Sequence, residues 1–399
     1  MCSLKKGVAM EGSFERAERL KRLPPYLFAE IDSKKKKKIR EGKDIIDLGV
    51  GDPDQPTPRN IIDKLYESAK KPETHRYPLG RGIKELREAI ASWYKERFDV
   101  SLDPETEVLS LIGSKEGIAH MPLAFLNQQD IALIPDPSYP PYRSGVILAG
   151  GQPYYMPLLE QNEFLPDLDK IDNQIAEQAK LIFINYPNNP TAACATEEFY
   201  KELVDFAKEH NIIICHDAAY SELAFDGYKP PSLLQIDQAK DIGVEFHSLS
   251  KTYNMTGWRI GFVCGNSDII NALSSVKENI DSGIFEAVQL AGAEALKSDP
   301  VHLPELLSLY KRRRDILVEG LNSLGWKVIR PKATFYVWVP VPPGYTSIEL
   351  SNTLLEHTNI VTTPGVGFGE NGEGYIRMAL TVSEERLAEA VERIKRFHE

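Results

Sequence analysis

Between residues 108 and 264, short apolar runs alternate with stretches that mix apolar and charged positions. The runs are Val108–Ile112, Ile131–Ile134, Leu181–Ile184, Ile212–Cys215, Glu245–Leu249 and Ile260–Cys264. Several are apolar throughout, as expected of strands buried on both faces of a mainly parallel sheet. The stretches between them have helical tendency. The pattern predicts a doubly wound α/β unit, which binds ligands at the carboxyl ends of its strands. The loops that follow the strands are therefore where chemistry is expected.

The flanks read differently. Pro24-Pro25 opens a helix that carries five lysines, Lys34 to Lys38, read as a solvated helix face. Ile45–Leu48 is a strand, and Gly49 to Pro58 is a rigid Gly/Pro-rich loop. Helices are expected over 59–70 and 83–97, the second with apolar Ile83, Leu86, Ile90, Trp93 and Tyr94 on one side. Residues 268–320 are mostly helical. Beyond them lie strands at Phe335–Val339, Ile360–Thr363 and Tyr375–Leu380, and helices at 346–357 and 383–398. This tail predicts a second, smaller α+β unit. The expected division is an N-terminal arm with part of the small unit over 1–50, a large domain over 51–285, and a small domain over 286–399.

Charge narrows the partners. The net charge of -11 argues against nucleic acid or an anionic membrane as a general partner. It leaves room for an anionic small molecule in a local basic pocket. No apolar run approaches the ~20 residues of a membrane span. Cys2, Cys194, Cys215 and Cys264 are widely spaced without a C-x-x-C pair. Neither a disulfide framework nor a zinc site is suggested, and reduced thiols in a cytoplasmic protein are expected.

The strand-end loops carry the candidate chemistry. Ser248-Leu249-Ser250-Lys251-Thr252 lies between the last two strands, with Arg259 eight residues after Lys251. A lysine flanked by apolar strands is open to desolvation, which frees its amine to attack carbonyls. Hydroxyls and an arginine fork suit a phosphate. Taken alone, the stretch fits a surface lysine in a Ser/Thr-rich turn equally well. Gly113-Ser114-Lys115 opens a helix after the first strand, where backbone N–H groups favour an anion. Asp136-Pro137-Ser138-Tyr139-Pro140-Pro141-Tyr142 is a rigid loop with a ring to stack on a flat ligand, or to pack on the sheet edge. Asn185 to Thr191 is a polar Asn/Pro loop whose amides could donate to a phenolate. Asp217, with Tyr220 three residues on, could pair with a protonated pyridine nitrogen. A metal at His216 and Asp217 lacks further ligands at useful spacing. Each feature answers a different atom of pyridoxal phosphate (PLP), whose aldehyde a lysine can hold.

On these motifs the chain resembles the class I/II aminotransferases of PLP fold type I over essentially its whole length. The resemblance implies a large domain with a mainly parallel seven-stranded sheet and a smaller α+β domain. It makes Lys251 the Schiff-base lysine and proton carrier, and Asp217 the partner of the pyridine nitrogen. Asn189 and Tyr220 would bond the phenolic oxygen, and Tyr139 would stack on the ring. Ser114, Lys115, Ser248, Ser250 and Arg259 would hold the phosphate. Tyr77 would reach a neighbouring subunit's phosphate, which implies a homodimer with shared sites. Arg377 would grip the substrate α-carboxylate, so the small-molecule partners are an amino acid and a 2-oxo acid. Ala192 stands where the family often has Gly, and a small local change in that loop is expected.

Within the family the chain is most similar to the LL-diaminopimelate aminotransferases of lysine biosynthesis, through Leu23 to Phe28, Leu48 to Asp52 and Asn279 to Phe285. That similarity makes Tyr26 and Gly51 substrate contacts, alongside Asn189 and Arg377. Relatives can place an acid near the Tyr77 loop to meet a distal ammonium. This loop reads Gly80-Arg81-Gly82, and an arginine prefers a distal carboxylate. Transamination of aspartate, alanine or an aromatic amino acid is the alternative, with a PLP-dependent C–S lyase behind it.

Overall fold

The computed structural model describes residues 14–23, 27–78, 80–297 and 302–398. Its strands in chain order are β1 (Ile46–Asp47), β2 (Val108–Leu111), β3 (Ile131–Asp136), β4 (Gln152–Pro157), β5 (Ala179–Asn185), β6 (Ile213–Asp217), β7 (Gly243–Ser248), β8 (Gly261–Gly265), β9 (Tyr336–Pro340), β10 (Ile360–Val361), β11 (Thr363–Pro364) and β12 (Tyr375–Ala379). Strands β2 to β8 form one seven-stranded sheet in the order β2-β8-β7-β6-β5-β3-β4. Only β8 runs against its neighbours, pairing antiparallel with both β2 and β7. The six expected strands are all present, with ends within two residues of the expected ones. Strand β4 was not expected. Pro153 and Pro157 break its sequence signal, and both fit because β4 lies at the sheet edge.

The sheet is buried on both faces, as its apolar runs require. On one face Ile118, Met121, Val146 and Leu273 pack on Leu111, Phe183, Cys215 and Phe246. On the other, Phe199, Tyr200 and Leu203 pack on Ile182, Ile184 and Ile214. The helix Glu197–His210 is set there by its cap, Thr196, whose Oγ accepts the Phe199 N–H at 3.3 Å. The helices Arg59–Ala69, Lys84–Phe98 and Glu286–Lys297 bring Ile61, Leu86, Ile90 and Ala291 against Val108, Ile260 and Phe262.

A second core surrounds the antiparallel sheet β11-β12-β9. Leu317 and Leu321 of the helix His302–Ser323, with Leu387 and Ile394 of Glu384–His398, cover Val337 and Met378. Strand β1 joins this unit through parallel pairing with β10. The lysine run differs from expectation. In the helix Leu27–Arg40, Lys35 meets Asp47 at 2.8 Å, Lys38 meets Glu356 at 2.8 Å, and Lys34 donates to Asn352 at 2.9 Å. These contacts pin the helix to the second unit. Each contributes at most ~1 kcal/mol where exposed.

The Gly/Pro loop is clamped at the mouth between the two cores. The buried Arg313 donates bidentately to Asp54, 2.7 Å to each oxygen, and to the Leu380 carbonyl at 3.0 Å. Thr57 donates to the carbonyl of Asn254 at 2.8 Å. Among the described residues no helix is long and apolar enough to cross a membrane.

Candidate active site

The carboxyl ends of β5, β6 and β7 open into a cleft of about 560 Å³. Its walls include Ser114, Lys115, Tyr139, Asn189, Asp217, Tyr220, Ser248, Ser250, Lys251, Arg259, Gly51 and Arg377. Twelve residues read from the sequence as site residues thus meet in one place. Two do not. Tyr77 is 80% exposed and lies away from this cleft. Tyr26 lies outside the described residues.

Lys251 stands in the one-turn helix Leu249–Thr252 after β7. Ser248 caps that turn, its Oγ accepting the Ser250 N–H at 3.3 Å. The Lys251 ammonium donates to the Gly51 carbonyl at 3.3 Å and sits 5.4 Å from the centre of the Phe335 ring. A carbonyl and an aromatic face hold the lysine at the mouth.

Asp217 closes β6 and is almost fully buried. Burial raises its pKa; the hydrogen bond from Tyr142 and the charge of His216 act against that rise, and the net direction is upward. Tyr142 donates to Oδ2 at 2.9 Å, while Oδ1 is buried with no partner. Burial and the adjacent carboxylate push the Tyr142 hydroxyl up in turn, so it stays a donor. The β6 end is also tied to the next loop. Asn185 donates to the Asp217 carbonyl at 2.6 Å and accepts the Asn189 N–H at 2.8 Å.

Arg377, on β12, crosses the cleft from the second unit. It donates to Asn189 Oδ1 at 2.7 Å and to the Gly49 carbonyl at 2.8 Å. Its guanidinium lies 4.1 Å from the Tyr336 ring and 4.6 Å from the Phe368 ring. Arginine only donates, so the Asn189 oxygen faces Arg377 and the amide NH₂ is turned away from it. Of five N–H groups the fork commits two, and its buried Nε lacks an acceptor. Donors therefore remain for a carboxylate. Tyr336 also lies so close to Gly51 that a Cβ there would collide with its hydroxyl.

These residues fit PLP. The unpartnered Asp217 Oδ1 is an acceptor for a pyridinium N–H. The Ser250 hydroxyl is buried and unpartnered as well. Gly113, at φ +75°, lets the Arg259 guanidinium lie where a Cβ would clash. The N-terminus of the helix Ser114–Phe125 begins beside it. Hydroxyls, a guanidinium and a helix N-terminus together make an anion cradle.

A family model described as aminotransferase class I and II matches residues 43–394. Proteins named LL-diaminopimelate aminotransferase are similar across the chain. The one from Halothermothrix orenii is 58% identical over 381 residues, covering 96% of this chain and 98% of that protein. The one from Aquifex aeolicus is 57% identical over 382 residues, covering 96% and 99%. Among solved structures, substrate-bound BacF from Bacillus subtilis has a TM-score of 0.93 at 42% identity, covering 96% and 98%. A double mutant of Thermus thermophilus aspartate aminotransferase has a TM-score of 0.89 at 29% identity, covering 96% and 99%. The chain belongs to the class I and II aminotransferases. It is a PLP-dependent enzyme that transfers amino groups.

Several features of this aminotransferase were not read from its sequence as site residues. Tyr142 was seen only as a second ring in a proline loop. Pro140-Pro141 start the helix Pro141–Ala149, and its first turn carries Tyr142 beneath the sheet end, stacked on Phe183 at 5.4 Å. Tyr336 and Phe368 lie on and beside the small sheet, with no local mark of their place. Arg81 does not line the cleft: it donates to the Thr106 carbonyl at 2.7 Å and to the Asn271 side chain. Ala192 has φ +58°, a conformation glycine adopts freely. Beside it, Thr191 donates to Asn188 Oδ1 at 2.8 Å.

Proposed function

We propose that this aminotransferase moves the amino group of LL-2,6-diaminopimelate to 2-oxoglutarate, in lysine biosynthesis. The observation that carries the reading is the likeness, at more than half of all positions and nearly end to end, to proteins named for that substrate. Arg81 donates to the Thr106 carbonyl and to the Asn271 side chain and does not line this chain's own cleft.

The residue roles belong to the same proposal. When bound, PLP supplies an aldehyde that takes up the amino group and a ring that stores the electron pair left at Cα. Lys251 would hold the cofactor through its amine, and that amine, when free, would carry the proton to and from the substrate Cα. Asp217 Oδ1 accepts the pyridine N–H, with Tyr142 orienting the carboxylate through Oδ2. Asn189 and Tyr220 donate to the phenolic oxygen, and Tyr139 covers the ring. Ser114, Lys115, Ser248, Ser250 and Arg259 hold the phosphate. Arg377 takes the α-carboxylate with the N–H groups that Asn189 and Gly49 leave over. Gly51, at the mouth, contacts the substrate, and the resemblance gives Tyr26 the same role. The overall exchange is balanced: one amino group leaves the donor as it becomes a 2-oxo acid, and a second half-reaction delivers it to 2-oxoglutarate.

The proposal includes a homodimer in which Tyr77 serves the partner's phosphate cradle. Exposed Tyr77, Tyr66 and Phe285 supply apolar surface on neighbouring elements. We draw the large domain through residue 297, because Ala291, Ala293 and Leu296 pack with its core. A cytoplasmic location suits the free Cys194, Cys215 and Cys264.

Rapid mixing of the PLP-loaded protein with LL-diaminopimelate, glutamate, aspartate or alanine tests the donor. Diaminopimelate and glutamate should discharge the cofactor's visible absorbance fastest. Faster reaction with aspartate or alanine, with diaminopimelate inert, removes the substrate assignment and leaves the family.

A further inference from the structure

On the face of the large sheet opposite Asp217 lies a buried polar network that the mechanism above does not use. Successive strand residues point to opposite faces, so His216 points away from the side that Asp217 serves. In the register of β6 with β7, His216 stands opposite Glu245. Both side chains are fully buried. Glu245 accepts from five groups: His216 Nδ1 at 3.1 Å, Ser232 Oγ at 3.0 Å, the Leu233 N–H at 2.8 Å, Tyr94 O–H at 3.0 Å and His247 Nε2 at 3.0 Å. A carboxylate so surrounded stays ionised. Burial works against ionisation, but the His216 charge and the hydrogen bonds outweigh it, and the carboxyl lies well below the usual range.

The other ring nitrogen of His216 is informative. Nε2 lies 3.1 Å from the Tyr186 carbonyl and 3.2 Å from the Tyr200 hydroxyl. Nδ1 faces a carboxylate and Nε2 faces a carbonyl, and both of those atoms only accept. A neutral imidazole carries one N–H and can satisfy one of them; with that N–H on Nδ1, the bare Nε2 accepts from Tyr200 O–H and the Tyr186 carbonyl gains no donor from the ring. The doubly protonated ring satisfies both, and its charge cancels that of Glu245 inside the sheet. His247 faces Glu245 and Tyr94 through the same nitrogen, Nε2, with Tyr94 O–H at 2.5 Å, so one N–H serves it.

We propose that His216 is a buried imidazolium, fixed by Glu245 and the Tyr186 carbonyl, and that it acts as a positioning residue which keeps the neighbouring Asp217 an anion for the pyridinium of PLP. The proposal rests on the Asp217 role given above. Tyr142 O–H supports Asp217 from one side of the sheet, and the His216 charge supports it from the other. The network also joins three of the elements that carry cofactor residues. His216 bonds the Asn185–Thr191 loop through Tyr186 and bonds β7 through Glu245.

The test is the PLP dissociation constant of His216→Gln and Glu245→Gln, each alone and combined with Asp217→Asn. Thermal unfolding of the cofactor-free proteins separates folding from positioning. Both single variants should weaken PLP about tenfold or more, with a shifted visible band. Asp217→Asn should weaken it further and abolish the added effect of either variant. If His216→Gln does not fold, Glu245→Gln decides, because it keeps the shape and removes the charge. Affinity within twofold of wild type in a folded variant overturns the proposal. So does an effect that persists unchanged beside Asp217→Asn. If Asp217→Asn itself leaves PLP affinity intact, the Asp217 role fails, and that failure is read apart from the imidazolium.

Discussion

On the large-sheet wall of the cleft, Asp217 Oδ1 and Ser250 Oγ are buried without partners. On the opposite wall Arg377 has already committed two N–H groups to Asn189 and Gly49, and it lies between the rings of Tyr336 and Phe368. The first wall carries polar atoms that gain hydrogen bonds only from a ligand. The second is oriented by protein groups and keeps spare donors for a substrate, among them the buried Arg377 Nε. Unsatisfied buried groups cost about 1–3 kcal/mol each, so the first wall should bind its ligand strongly and resident. Preorganisation on the second wall cuts the ordering cost of a substrate that must come and go. On the proposed roles, cofactor retention belongs to the large unit, and the grip on the substrate carboxylate belongs to Arg377 of the small one.

Breaking the first wall should have the largest effect. Lys251→Ala should abolish transamination and remove the visible absorbance of the bound cofactor, read by steady-state assay and spectrophotometry. Undiminished turnover would sink the lysine's role. On the second wall, Arg377→Lys replaces a fork by a point charge. The loss of a buried partner costs about 2–5 kcal/mol, so kcat/KM should fall on the order of 100-fold. Most of the loss should appear in KM, with PLP affinity unchanged. A fall in PLP affinity instead would erase the distinction between the walls.

A smaller effect sharpens the contrast. Tyr142→Phe removes one donor to the Asp217 carboxylate, and such bonds contribute about 1.5–3 kcal/mol. PLP affinity should drop about tenfold or more while the KM for amino donor holds, measured by cofactor titration and initial rates. The smallest effect lies away from the cleft. Asp226 meets Arg314 at 2.6 Å and Lys311 at 2.7 Å, and the Arg314 hydrogen bond leads in holding its pKa at about 2. Its folded pKa lies below the ordinary 3.8. The stabilisation is therefore present above about pH 4 and is lost as pH falls toward 2. Asp226 is partly exposed, so solvent screens the pair. Asp226→Asn should lower Tm slightly at pH 6, and the gap should close in acid. A gap that widens in acid would reverse the sign.

The sheet and most of the cleft were legible because chain order and chemistry coincide. Each apolar run ends where a polar loop begins, and Ser114, Asn189, Asp217 and Lys251 all sit at or just past such an end. Strand β4 was hidden by two prolines that only an edge position tolerates. Tyr142 and Tyr336 were hidden because their partners are distant in sequence. Tyr142 meets Asp217 across 75 residues, and Tyr336 meets Tyr220 across 116. Glu245 and His247, in a strand otherwise apolar, did carry a signal. A charge in a buried strand demands partners, but Tyr94 and Ser232 are not deducible from the local pattern. For Arg81 the sequence shows a residue type but not its partners, Thr106 and Asn271, which are distant along the chain.

The central claim is that PLP sits at the strand ends on Lys251. Reducing the PLP-loaded protein with borohydride fixes the cofactor to the lysine that holds it, and peptide mass mapping then locates it. One modified peptide is expected, with the label on Lys251. A label on another lysine, with Lys251 unmodified, would contradict it.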